Sequence, residues 1–161
     1  MRFVQQAVVV VVTAGLAVWG GMATATAAPA GAPAHAHAHP TEGPHHGSLI
    51  ELGKEDYHAE LVHDDTTDTV TIYILDAAAT KAVPIAAKQL MLNVRAAGTA
   101  QQFPLAAQPQ AADPEGSSSA FAATGKQLCK LLDAKGSSGR LNVEIAGKRY
   151  VGQVGGHTHP H

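Results

Sequence analysis

The chain has 161 residues, and its 11 lysines and arginines nearly balance 13 aspartates and glutamates, with no basic block along its length. That balance speaks against nucleic acid as a partner, because binding to phosphates needs clustered cations. A single cysteine, Cys129, excludes an intramolecular disulfide, so a folded domain must be held by packing or by a ligand.

The N-terminus carries one positive residue, Arg2, then a valine-rich apolar run from Ala7 to Val18, then small residues up to Ala28. Charge, apolar run and small residues in that order form a secretory signal, and Ala25-Thr26-Ala27 presents small side chains before a cut after Ala27. Residues 1–27 are therefore expected to be a cleavable signal, and the mature protein to be periplasmic or secreted with no membrane attachment. Retention of the apolar run as an anchor is the alternative, since residues 7–23 are nearly long enough to span with tilt. Residues 28–47 are mostly alanine, proline, glycine and histidine with little to bury, and they predict a disordered segment.

From residue 48 to 154 the apolar pattern has mostly period two, interrupted by turn residues. Leu49 to Leu52 forms a first short strand. Tyr57, Ala59 and Leu61 then alternate with His58, Glu60 and Val62, and a polar turn over residues 63–68 leads into Thr69 to Leu75, a β-branched and aromatic run. Leu90, Leu92 and Val94 mark another strand, and Gln101 to Leu105 carries Pro104, which points to an edge. A loop centred on Asp113-Pro114-Glu115-Gly116 follows. Thr124 and Gln127 have capping-box spacing ahead of a short helix with Leu128, Leu131 and Leu132 facing in. Leu141, Val143 and Ile145 alternate before a turn, and Tyr150 to Val154 returns. The pattern predicts an all-β fold, an immunoglobulin-like antiparallel sandwich of about seven strands with one short helix; a small barrel gives the same string of strands. Residues 155–161 form a histidine-rich C-terminal tail, so His-rich tails expected to be disordered flank the domain.

Ten histidines is a large excess for this length, and eight of the ten lie outside the expected core. His35, His37 and His39 precede the domain, and His157, His159 and His161 follow it. In an extended backbone, residues two apart point the same way, so each triplet can present three imidazoles on one side. Neutral imidazole suits Zn(II), Cu(II) and Ni(II). His45 and His46 add donors beside the domain entry. His58 and His63, five residues apart on a strand, point to opposite faces, and each reads first as an exposed polar side chain. If either binds metal, His63 with Asp64 and Asp65 at the turn is the better candidate, because carboxylates serve as co-ligands or orient the ring. Cys129 sits among leucines and reads as a small apolar core residue. No hydrolase elbow, phosphate-binding glycine loop or zinc-protease helix motif occurs, so an enzyme has no support in the sequence.

Three stretches, His46 to Gly53, Tyr57 to Asp64 and Val70 to Asp76, resemble small exported bacterial β-domain proteins of a kind seen in planctomycetes. They are also similar to segments near the front of periplasmic adaptor proteins of heavy-metal efflux pumps. The resemblance implies an exported β domain associated with metal handling, with an envelope or efflux adaptor protein as a partner, and it transfers no ligand residue. The leading expectation is thus a non-enzymatic exported protein that binds or buffers a divalent metal ion with its histidine arms. The alternative is a structural or interaction module of the cell envelope, for which the tails are spacers.

Overall fold

Alternating apolar side chains fold residues 41–155, the part described by the computed structural model, into eight antiparallel strands and one helix. The strands are β1 (Ser48–Leu52), β2 (Tyr57–Asp64), β3 (Thr69–Leu75), β4 (Gln89–Ala96), β5 (Thr99–Ala107), β6 (Ala120–Thr124), β7 (Ser138–Ile145) and β8 (Lys148–Gly155). Helix α1 (Lys126–Asp133) lies between β6 and β7. The pattern is cleanest in β7, where Gly139, Leu141, Val143 and Ile145 are buried and the four residues between and before them are exposed. The all-β class with one short helix expected from the sequence is the class observed.

All eight strands belong to one sheet in the order β1-β2-β3-β6-β5-β4-β7-β8. Pro104 lies in β5, which pairs with β4 along its length but with β6 only at Ala106 and Ala107, so its imino nitrogen costs no ladder bond to β6. The sheet curls until its outer strands meet. A Cβ placed on Gly152 of β8 would stand 2.5 Å from Ile50 Cγ2 and 2.9 Å from Leu52 Cδ2 of β1. At Gly53, just past β1, a Cβ would stand 3.1 Å from the Tyr150 ring of β8. The fold is therefore a nearly closed barrel whose seam is made by side chains, and Lys148 strengthens its lower end with a 2.7 Å contact to Asp56.

Inside lie Leu52, Leu61, Ile72, Ile74, Leu92, Leu105, Phe121 and Leu141, all fully buried. Helix α1 closes one end of the barrel with Leu128, Cys129, Leu131 and Leu132. Its N-cap is Gly125 and has no side-chain cap, whereas the sequence pointed to a capping box at Thr124. Thr124 instead ends β6, where its hydroxyl lies 3.1 Å from that of Thr69. No helix among the described residues is long and apolar enough to cross a membrane.

Residues 41–47, assigned by composition to the disordered segment, are folded. Glu42 bridges to Ser48, Leu49 N–H donates to the Thr41 carbonyl, and Gly43 N–H donates to the Gly47 carbonyl. This strap crosses the outer face of β2, which explains why four consecutive residues there, His58 to Leu61, are all buried.

Candidate metal centre

Strand β2 delivers His63 to the barrel end that α1 covers. The chain then turns tightly, and Asp64 organises that turn: its carboxylate accepts from Thr66 N–H at 2.8 Å and from the Thr67 hydroxyl at 2.9 Å. Hydrogen bonds from the Thr66 and Thr67 side chains and backbone hold the Asp64 carboxyl at about 2. Asp64 is thereby committed to the turn and is not part of the histidine cluster, contrary to the sequence expectation of a carboxylate pair beside His63.

The second carboxylate comes from elsewhere. The His63 side chain is only 7 % exposed and lies between two aspartates, with Nε2 3.2 Å from Asp65 Oδ1 and Nδ1 3.4 Å from Asp133 Oδ1. The three residues each offer one ligand atom within 4.8 Å of the others. Despite its short approach to Asp65, His63 Nε2 is buried without a hydrogen-bond partner among the described residues, because the direction of approach is wrong for one. Asp133 is the last residue of α1, where helix carbonyls already concentrate negative charge and a further anion is unfavourable unless a cation faces it. The field is negative more widely. Burial, then Asp68, Asp133 and Asp65, push the Cys129 thiol up from its usual range, so it is an inert apolar side chain in the protein as described.

The other described histidines are dispersed. His58 is buried, with Nδ1 3.3 Å from the Asp76 carbonyl oxygen, where an exposed side chain was expected. His45 and His46 lie on the strap. His45 N–H and Gly47 N–H donate to Glu60 Oε1 at 2.7 and 2.8 Å, and His45 Nδ1 lies 2.7 Å from Glu60 Oε2. Glu60 is fully buried, and these three donors account for its burial in a position that period two alone assigns to solvent. His35, His37, His39, His157, His159 and His161 lie outside the described residues.

The sequence pointed to His63 and Asp65 but missed Asp133 and Glu60. Asp133 follows a Leu-Leu pair and nothing in its neighbourhood marks it; only the fold, which sets α1 against β3 and β4, brings it to His63. No protein-family model, curated protein or solved structure matches the chain.

Proposed function

We propose that this is an exported, non-enzymatic metal-binding protein, and that His63, Asp65 and Asp133 form a binding centre for a divalent cation within its barrel. The observation that carries the reading is the His63 ring, whose buried Nε2 has no hydrogen-bond partner among the described residues and whose two nitrogens each face a carboxylate, Asp65 at Nε2 and Asp133 at Nδ1. One imidazole nitrogen with carboxylate oxygens is a donor set suited to Zn(II), Cu(II) or Ni(II) rather than to an all-oxygen ion such as calcium. Buffering by the histidine arms is the second part of the proposal. It is supported by connectivity: Thr41 is bound to Leu49, Ser48 pairs with Leu61, and Gly152 of β8 packs on Ile50 of β1, so both described chain ends leave the barrel near the end that carries His63.

An envelope docking module that accepts a partner strand, such as one from an efflux adaptor, is the rival reading. It needs an open edge, and the packing of Gly152 against Ile50 turns β1 and β8 toward each other. Calorimetric titration of the untagged protein with Zn(II), Cu(II) and Ni(II), set beside His63→Ala and a form lacking both arms, tests the proposal. Loss of one binding equivalent in His63→Ala is expected. Equal, weak heats from all three proteins would end the metal reading.

A further inference from the structure

The two adjacent histidines of the strap share one arrangement. His45 Nδ1 lies 2.7 Å from Glu60 Oε2, and His46 Nδ1 lies 2.6 Å from Glu42 Oε1. A carboxylate only accepts, so in each neutral ring Nδ1 carries the proton and Nε2 keeps its lone pair. A carboxylate on one ring nitrogen and a cation on the other is the usual setting of a metal-bound histidine, because the carboxylate fixes the tautomer and raises the basicity of the ligating nitrogen.

His45 is held in two further ways. Its ring stacks on Tyr73 with centroids 3.7 Å apart and planes 7° from parallel. Its backbone N–H is bound to the same buried Glu60 that holds the ring. The strap lies so close to that carboxylate that a Cβ on Gly43 or Gly47 would collide with the Glu60 side chain, and glycine is what lets the backbone approach. Yet the His45 side chain is 42 % exposed and that of His46 is 88 % exposed, and in each ring it is Nδ1 that faces the carboxylate. Glu60 and His63 have opposite parity on β2, so this pair is on the other face of the strand from the His63 centre.

We propose that His45 and His46 each offer Nε2 to a divalent cation of the Zn(II), Cu(II) or Ni(II) class on the outer wall of the barrel, with Glu60 and Glu42 as positioning residues. The inference rests on the reading of the protein as a metal binder, and it names where on the strap the first coordinate bonds form. Here the ordering cost that a mobile histidine tract meets on closing around an ion is already met by folding.

Long-range proton–nitrogen spectra of the imidazoles in the 15N-labelled chain test this directly. Without metal, the neutral rings of His45 and His46 are expected to be the Nδ1–H tautomer, and added Zn(II) is expected to shift both Nε2 signals. Glu60→Gln keeps an oxygen for the backbone donors but weakens the hold on the ring, and it should lower the Zn(II) affinity read at His45 by about 10- to 100-fold. Should Glu60→Gln fail to fold, Glu42→Gln on the exposed strap gives the same test at His46. Signals of His45 and His46 that stay unmoved at saturating Zn(II), while His63 shifts, overturn this inference and leave the His63 centre standing. If none of the three shifts, the metal reading falls with it.

Discussion

Gly152 of β8 and Ile50 of β1 are in contact across the barrel seam, with no room between them for a methyl group. Ile50 Cγ2 branches from the stiff Cβ of a strand residue and cannot swing aside as the end of a long side chain does. Gly152→Ala is therefore expected to destabilise the protein by about 1–3 kcal/mol, the usual cost of overpacking. Urea denaturation gives the value. An unchanged midpoint would mean that the seam is looser than the contact implies.

Removing the Glu60 carboxylate strands three donors at once. Glu60→Ala should cost about 1–3 kcal/mol, the range for leaving buried polar groups unpaired. Its effect is expected to be local, with the His45 and Gly47 amides losing their protection from hydrogen exchange while the amides of β7 keep theirs.

Acid should weaken the turn after β2. The Asp64 carboxyl is held at about 2, below its ordinary value, so the unfolded chain binds more protons than the folded one in the interval between. Its contribution to stability is present above the ordinary carboxylate value and is lost as pH falls toward 2. In Asp64→Ala, stability measured by urea should fall less steeply between pH 4 and pH 2 than in the parent, the window set by that shift. At the alkaline end the sign reverses. The hydrogen bond to Asp56 raises Lys148, whose contribution is lost as pH climbs through its raised value.

Asp133→Asn separates stability from binding. An anion at the helix C-terminus beside a second carboxylate is unfavourable, so the metal-free variant should be more stable by about 0.3–1 kcal/mol. The same change removes a ligand, so it should abolish most of the rise in thermal midpoint that a cation in hundredfold excess over its Kd gives the parent, worth about 2.7 kcal/mol. Thermal melts with and without Zn(II) read both effects. A variant that is destabilised without metal and still responds fully to it would contradict the assignment of Asp133.

What the sequence made legible follows from how local each signal is. Period-two alternation in Thr69 to Leu75 and in Leu141 to Ile145 records which face of a strand meets the core, and β3 and β7 lie where it places them. The same rule put Glu60 on the outer face of β2, but it cannot say what covers that face. The cover is the strap, whose glycine, histidine and proline content resembles a disordered tail and whose order draws on bonds to a carboxylate 13 to 15 residues away. The helix start was misplaced for a similar reason: Thr124 has the chemistry of a cap, but its hydroxyl faces Thr69 on a neighbouring strand. Asp133 needed the most distant information, the packing of α1 against β3 and β4.

The contacts along the seam run from Tyr150 with Gly53 to Gly152 with Leu52 and Ile50, so β8 ascends as β1 descends. Residue 155 therefore emerges on the side where β1 begins and where Thr41 of the strap is bound to Leu49, and a short peptide joining residues 155 and 41 would permit circular permutation, with new termini at an exposed turn such as Ala146-Gly147. By the same geometry, groups attached before residue 41 and after residue 155 are tethered to one rim.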